Sequence, residues 1–379
     1  MQRLKITIGF IVIILLAGCS QLNKATDLLS NPTSKERYKR DFKISDGLFQ
    51  IWEDQLAVAL RDSIQIQTPF LQAGYFKPRS FPIYSYNIDL NVGEKLDISV
   101  ETDSISHLVF IELYQLQNDS LGTYKSIAAA DYNRKSLGFE VDQGGTYKVI
   151  IQPEISASTP FQVKMKTFPV YLFPVAGAKN TNIQSFWGAT RDAGRRSHEG
   201  IDIFAARGTP VIAVTDGYIT SSGERGLGGK QVWLRDQKRG QSLYYAHLDS
   251  IAPLGKTRVK TGDTIGFVGN TGNARTTPPH LHFGIYKGYR GAIDPLHFVY
   301  QLDQPNFDSQ GTVPEVGNLV TKSTANIRNQ PGQTRKSQVI GNLPARDTVN
   351  LLGKSNEWYH IRTSTRQAAF IHESLVSPI

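Results

Sequence analysis

Histidine and aspartate side chains form short patterns in the middle of the chain, and these residue types can hold a metal ion and move protons. The first pattern is His198-Glu199-Gly200-Ile201-Asp202. If this stretch is extended, His198, Gly200 and Asp202 lie on one face of a strand because side chains alternate. Gly200 would then leave room for a metal between two ligands.

Two further patterns add imidazole groups on separate predicted strands. In His280-Leu281-His282-Phe283 the two histidines point the same way, while Leu281 and Phe283 point into the core. In Tyr244-Tyr245-Ala246-His247-Leu248, again alternating, His247 brings another imidazole on its own strand. A single strand histidine is usually structural, so the combination of patterns is what predicts a site.

Two neutral imidazoles and one carboxylate, with a fourth position left to water, form a ligand set that suits catalytic Zn²⁺. Such a metal lowers the pKa of its water toward roughly 7 and polarises a scissile carbonyl. The remaining histidines can stabilise an oxyanion and transfer a proton to a leaving amine. The patterns therefore predict metal-dependent hydrolysis.

At these positions the sequence resembles the lysostaphin-type zinc endopeptidases of peptidoglycan, whose signature pairs H-x-x-x-D with a distant H-x-H. The similarity covers about residues 173–299 and includes these framework motifs in register: Phe186-Trp187-Gly188, Gly208-Thr209-Pro210-Val211, Asp216-Gly217, Gly262-Asp263 and Gly269-Asn270-Thr271-Gly272. The resemblance implies that His198, Asp202 and His282 bind one Zn²⁺. It also implies that His247 and His280 are catalytic and that the substrate is a peptide bond of peptidoglycan stem peptides or cross-bridges.

Two features of the sequence bear on substrate preference. The stretch Arg275-Thr276-Thr277-Pro278-Pro279 is longer and richer in proline than the common version of the family, so one wall of the groove is expected to differ in shape. Arg191, Arg195 and Arg196 precede the metal pattern and could meet a peptide carboxylate, with a solvated face as the alternative for at least two of them.

The sequence predicts a mainly β fold with several domains around these residues. A chain of 379 residues exceeds what one hydrophobic core usually supports. Alternation such as Leu96, Ile98 and Val100 against Asp97 and Ser99 predicts a β-sandwich. The expected order is an accessory β-sandwich (45–168), a zinc peptidase domain with an antiparallel sheet and groove (169–303), a linker (304–317) and an SH3-like small barrel (318–379).

The carboxy-terminal segment resembles bacterial SH3-like domains in its strand spacing. Ala325-Asn326-Ile327-Arg328 followed by Pro331-Gly332 opens such barrels, but Ala369-Phe370-Ile371 replaces the usual glycine-tryptophan. A standard ligand groove therefore cannot be assumed. Two roles stay open: binding of wall peptides, which would hold the enzyme near its substrate, and packing without a ligand.

The amino terminus is predicted to export and anchor the protein. Residues 1–18 combine an early positive charge with a short apolar run, and Leu16-Ala17-Gly18-Cys19 resembles the lipobox of bacterial lipoproteins. Cys19 is the only cysteine, which excludes an internal disulfide and suits lipidation. Residues 19–44 are polar and predict a tether. Ser20-Gln21 lacks an aspartate after the cysteine, which favours the outer membrane facing the periplasm.

The charge and the domain set leave three functional hypotheses. A net charge of +9 favours anionic surfaces such as lipid head groups or wall polymers, and no nucleic-acid partner is expected. The leading hypothesis is a zinc endopeptidase of peptidoglycan. The first alternative is a catalytically silent wall-binding lipoprotein that activates a separate amidase, and the second is a structural lipoprotein that tethers the outer membrane to the wall.

Overall fold

The structure is a computed structural model of the chain. It describes residue 27 and residues 30–78, 80–103, 106–117, 122–253, 257–304 and 317–379. The predicted signal peptide, Cys19 and most of the predicted linker lie outside the described residues. Within the described ranges, no helix has the length and apolar character needed to cross a bilayer.

Three short helices lie between residue 34 and the first strand of the sandwich. They are α1 (Ser34–Asp41), α2 (Asp46–Glu53) and α3 (Gln55–Arg61). Helix α1 begins with a capping box in which Thr33 and Glu36 each accept from the other's backbone N–H. Its Tyr38 is buried with its ring centroid 5.5 Å from that of Trp52. Lys35 also pairs with Glu112 of the sandwich at 2.7 Å. Residues 34–41 therefore belong to the folded domain, which corrects the tether expected over 19–44, because contacts with distant residues dock this polar helix.

Eight antiparallel strands form the sandwich that follows. They are β1 (Phe70–Phe76), β2 (Tyr84–Leu90), β3 (Glu94–Thr102), β4 (Val109–Leu116), β5 (Tyr124–Ala129), β6 (Ser136–Glu140), β7 (Gly145–Pro153) and β8 (Thr159–Pro169). One layer has the order β2-β7-β4-β5 and the other β1-β8-β3-β6. Leu96, Ile98 and Val100 of β3 point into the core between the layers, which confirms the predicted alternation.

The central domain contains thirteen strands around its own core. They are β9 (Ile183–Ser185), β10 (Thr190–Arg191), β11 (Arg196–Ser197), β12 (Ile201–Phe204), β13 (Pro210–Ile212), β14 (Gly217–Arg225), β15 (Gly229–Asp236), β16 (Gln241–Leu248), β17 (Ser250–Ile251), β18 (Arg258–Val259), β19 (Thr264–Phe267), β20 (His280–Tyr286) and β21 (Ala292–Ile293), followed by helix α4 (Leu296–Val299). The main sheet has the order β18-β14-β15-β16-β20-β12-β9, with β21 beside β20. Strands β13, β19 and β17 form a second sheet, and β10 with β11 a separate hairpin.

Seven strands form the carboxy-terminal domain. They are β22 (Asn318–Thr321), β23 (Ala325–Arg328), β24 (Val339–Leu343), β25 (Thr348–Ser355), β26 (Trp358–Arg362), β27 (Ala368–His372) and β28 (Val376–Pro378). Together the domains confirm the predicted mainly β, multi-domain fold.

The sandwich and the carboxy-terminal domain share one continuous sheet, because β1 pairs with β25 at Ala73 and Lys354. The approach is so close that a Cβ at Gly353 would lie 2.6 Å from Gln72 Nε2. His360 is fully buried at this junction, and its Nδ1 lies 3.0 Å from Gln72 Oε1. The carboxy-terminal domain therefore has a packing role whatever else it binds.

The central domain joins the sandwich on the side where α4 and the β15–β16 turn lie. Glu140 accepts from Arg239 Nη2 at 3.0 Å, and Glu94 lies 3.5 Å from His297. At Gly93 the backbone φ is 94° and a Cβ would lie 2.5 Å from the Phe298 ring, so only glycine fits. His297 therefore has a structural contact with the sandwich.

Candidate metal centre and active-site groove

The pairing of β12 with β20 brings Asp202 and His282 together. These two residues are direct register partners in the antiparallel pair, as are Phe204 and His280. Side chains directly opposite one another in such a pair share a face of the sheet. On its other side His282 lies opposite Ala246 of β16, whose small side chain leaves the face open.

His198 reaches the same point from a separate local pairing. Strand β12 begins only at Ile201, so the extended strand expected over 198–202 is shorter than predicted. The backbone of His198 instead pairs with the preceding loop: its N–H donates to Ala189 O at 2.8 Å, and its carbonyl accepts from Gly188 N at 3.0 Å. This pairing directs the imidazole of His198 toward Asp202.

Three potential metal ligands converge within one triangle. His198 Nε2, His282 Nδ1 and Asp202 Oδ1 lie 3.0 Å from one another along all three sides. Tetrahedral zinc with bonds of about 2.0–2.1 Å requires ligand atoms about 3.3 Å apart, so the spacing fits this ion closely. These are the residues that the sequence resemblance implied as ligands, and no other described group of three or more His, Cys, Asp or Glu side chains is so arranged.

Neighbouring groups prepare the ligands for a cation. His198 Nδ1 lies 2.9 Å from Phe186 O, and because a carbonyl only accepts, Nδ1 carries the hydrogen and Nε2 presents a lone pair. Burial acts to raise the pKa of Asp202, but hydrogen bonds that His198 and His282 donate when their facing nitrogens are protonated hold this pKa well below its usual range. Burial also lowers the pKa of His282. An ionised carboxylate and neutral imidazoles are the forms that bind metal.

The other oxygen of Asp202 is held by an arginine. Arg191 Nη2 donates to Asp202 Oδ2 at 3.0 Å and to Ser185 Oγ at 2.5 Å. Arg191 therefore occupies Oδ2 while Oδ1 faces the two imidazoles. The sequence analysis singled out Arg191 only as one of three arginines, because nothing in a one-dimensional pattern shows which of them reaches the aspartate.

The two predicted catalytic histidines lie together beside the triangle. The ring centroids of His247 and His280 are 5.1 Å apart, and those of His247 and His282 are 5.9 Å apart. His247 Nδ1 lies 3.0 Å from Thr271 O, and His280 Nδ1 lies 2.9 Å from Pro278 O. Each Nδ1 therefore donates to a carbonyl, which leaves each Nε2 as a proton acceptor.

His247 adopts a backbone conformation that is uncommon for a residue with a side chain. Its φ is 62°, and the pairing of β16 with β15 shifts register between Lys230 and Val232, opposite this point. In a regular strand His247 would share the core face with Tyr245. The bulge instead turns it to the groove, where strained residues often serve a function. Burial, with the nearby His282 and His280, lowers the pKa of His247 to about 4, so it is neutral at pH 7.

Gly200 makes room for the side chain of His282, whereas the sequence analysis expected it to make room for the metal itself. A Cβ at Gly200 would lie 2.5 Å from Phe283 O and 2.7 Å from His282 Cε1. Its missing side chain therefore accommodates the neighbouring strand and the His282 ring, and only indirectly the metal position.

All five predicted site residues line one groove of about 850 Å³. The lining includes three arginines, Arg191, Arg195 and Arg196, and also Leu227, Asn273 and Thr277. Every described residue of the lining belongs to the central domain, so the sandwich and the carboxy-terminal domain contribute none. An opening of this size and shape can take an extended peptide.

An aromatic group that the sequence analysis did not identify supports one side of the groove. Tyr244 and Tyr286 line it, and Trp233 packs behind them at 4.4 Å and 5.1 Å between ring centroids. Tyr244 also meets the edge of His282 at 5.8 Å. Alternation along β16 places Tyr244 on the face of Ala246, which is the signal that could have found it.

Comparison with known proteins agrees with this geometry. Residues 196–295 match Peptidase family M23. The chain contains an M23 peptidase domain. Residues 323–377 match the bacterial SH3 domain. The predicted metallopeptidase class and SH3-like module are therefore confirmed at the level of domains.

The similar proteins include several wall peptidases. The chain is 37% identical over 139 residues to the L-Ala--D-Glu endopeptidase of Bacillus subtilis (strain 168), covering 32% of this chain and 42% of that protein. It is 46% identical over 88 residues to the DD-carboxypeptidase/endopeptidase Mpg of Neisseria meningitidis serogroup B, covering 23% of this chain and 20% of that protein. The chain thus spans less than half the length of these curated relatives.

Among solved structures, the catalytic domain of the antimicrobial peptidase lysostaphin from Staphylococcus simulans is 31% identical. The match covers 31% of this chain and 92% of that one, with a TM-score of 0.28.

Proposed function

We propose that this chain is a zinc endopeptidase that hydrolyses peptide bonds in peptidoglycan stem peptides or cross-bridges. The observation that carries the proposal is the triangle of His198, Asp202 and His282 with 3.0 Å sides, beside two further imidazoles in an open groove. The similarity to wall endopeptidases supports the class of substrate.

Different residues of the groove can bind the metal and transfer protons during amide hydrolysis. Zinc, when bound, supplies Lewis-acid polarisation and promotes deprotonation of water. His198, Asp202 and His282 hold the ion in one orientation. The Nε2 atoms of His247 and His280 can accept a proton from the attacking water and deliver one to the leaving amine. The carbonyls that hold each Nδ1 orient each Nε2 lone pair for the accepting step.

The decisive experiment combines zinc content with hydrolysis. We expect purified protein to retain about one zinc per chain and to release peptide fragments from purified peptidoglycan, with the bond identified by mass spectrometry. His282→Ala should lose zinc and hydrolysis, whereas His280→Ala should lose hydrolysis and keep zinc. Zinc-free protein that cuts nothing but stimulates a separate amidase would favour the silent-activator alternative and refute the enzymatic proposal.

We further propose that the protein is exported and lipid-anchored through Cys19, in the outer membrane facing the periplasm. The support is the sequence Leu16-Ala17-Gly18-Cys19 and the absence of aspartate at position 20. Mass analysis of the mature amino terminus should detect an acylated cysteine. Cys19→Ser should release the protein from the membrane fraction, and unchanged fractionation of this variant would contradict the anchor.

For the SH3 domain we propose binding of wall peptides in addition to its contact with the sandwich. The support is the family match at residues 323–377. In a binding assay, purified peptidoglycan should retain less of the zinc-free protein when exposed residues of this domain are substituted. Equal retention would leave the domain with its packing role alone.

A further inference from the structure

A small hairpin with three arginines forms one wall of the groove. Strands β10 and β11 pair through Thr190 with Ser197 and Arg191 with Arg196. Ala193 in the turn has a φ of 54°, in the left-handed region that few residues other than glycine adopt. The hairpin therefore keeps a tight turn at some conformational cost, and it places Arg195 directly before the second strand.

Arg191 fixes this hairpin relative to the metal centre. Its guanidinium bonds to Asp202 Oδ2 at 3.0 Å, and its partner across the hairpin is Arg196. Arg195 and Arg196 are exposed and line the same groove as His198 and His282. Positively charged side chains therefore line the groove close to the candidate metal ligands, where a peptide bond would be cut.

The balance of charge in the groove favours an anionic ligand group. Among the described residues of the lining, two are carboxylates: Asp202 is engaged with the imidazoles and Arg191, and Glu199 lies 3.3 Å from the hydroxyl of Tyr286. Like charges at facing positions of a β pair repel, and Asp202 offsets part of this repulsion between Arg191 and Arg196 by accepting from Arg191. A guanidinium fork matches the geometry of a carboxylate and binds it through two parallel hydrogen bonds.

We propose that the basic hairpin, residues 190–197, is a carboxylate subsite that selects peptides with a free carboxylate close to the cleaved bond. This inference rests on the proposed endopeptidase function and specifies its substrate class. Arg195 contacts the carboxylate, and Arg191 positions the hairpin through Asp202. Acidic stem peptides carry such a group, whereas cross-bridges of neutral residues do not.

The test uses two synthetic peptides that differ only in one group next to the scissile bond, a carboxylate in one and a carboxamide in the other. Wild-type protein with zinc should cleave the carboxylate peptide with a kcat/KM at least about tenfold higher. Arg195→Gln should bring the ratio close to one by slowing cleavage of the carboxylate peptide alone. Arg195→Lys should restore part of the preference, because lysine keeps the charge without the fork.

Arg258→Gln is the matched control. Arg258 is an exposed arginine of the same domain on β18, the opposite edge of the main sheet from the hairpin, and it stacks on Tyr218. This variant should keep the full preference. Equal cleavage of both peptides by the wild type, or a preference that survives Arg195→Gln, overturns the carboxylate subsite while the endopeptidase function stands. Failure to cleave either peptide and peptidoglycan overturns the function itself.

Discussion

Replacing Arg191 by alanine should weaken zinc binding without unfolding the domain. Arg191 holds Asp202 Oδ2 at 3.0 Å, and its side chain is 33% exposed against 11% for Asp202. Without the guanidinium, Oδ2 loses its charged donor and the carboxylate can turn away from the two imidazoles. The variant keeps all three ligand side chains, so the effect is on the orientation of the Asp202 carboxylate.

The magnitude follows from the position of Arg191 behind the ligand. Loss of a hydrogen-bonding partner of a metal ligand typically lowers metal affinity about 10- to 100-fold. This corresponds to about 1.4–2.7 kcal/mol of binding free energy. Because a third of the Arg191 side chain is exposed, water can replace part of the lost contact, and the lower end of this range is expected.

Zinc affinity is measured by competition with a chromophoric chelator, with circular dichroism as a check of folding. Arg207→Ala is the control, since it removes an ion pair of 2.6 Å with Asp249 in the same domain and should leave zinc affinity unchanged. Arg191→Lys should give an intermediate affinity. The visible spectrum of the cobalt-loaded protein should differ between the wild type and the Arg191→Ala variant if the carboxylate changes its mode of binding. Unchanged zinc affinity in Arg191→Ala would refute the reasoning.

Three further predictions concern other parts of the structure. His247→Ala should reduce hydrolysis about 10²- to 10⁴-fold at unchanged zinc content, and loss of zinc would contradict its role in proton transfer. Gly200→Ala should lower zinc affinity in the chelator assay, because the new methyl group meets Phe283 O and His282, whereas Gly47→Ala, with open space around it, should not. Burial lowers the pKa of His360 to about 3, so the unfolded chain takes up a proton below its ordinary pKa of 6.5 while the folded chain does not. Stability should therefore fall as the pH drops from 6.5, by at most roughly 3 kcal/mol at pH 4, and urea unfolding of His360→Gln should show a shallower dependence. An equally steep dependence in this variant would count against the buried histidine as the cause.

The sandwich junction shows why His360 cannot be protonated without cost. Its Nδ1 donates to Gln72, and its Nε2 is buried without a hydrogen-bond partner among the described residues. A second proton would place a charge and an unsatisfied donor between two domains that share a sheet. This contact could not be predicted from sequence, because Gln72 and His360 are 288 positions apart.

The candidate site residues and much of the strand pattern could be predicted from the sequence. Residue types and short spacings named His198, Asp202 and His282 as ligands with the help of the family resemblance, and period-two alternation predicted the strands of the sandwich. These signals are local, because alternation depends only on neighbouring positions along one strand. The same local view missed helix α1, whose docking depends on the distant Trp52 and Phe110.

The contacts between these residues depend on tertiary structure and could not be predicted from the sequence. Register between β12 and β20 sets Asp202 opposite His282, and a bulge turns His247 from the core face to the groove. Packing of distant segments also determines that Arg191, out of three nearby arginines, binds Asp202. It requires glycine at position 200 because the backbone of Phe283 lies too close for a side chain. Register, bulges and close approaches depend on which strands become neighbours, and that choice is made by the whole core and not by any one segment.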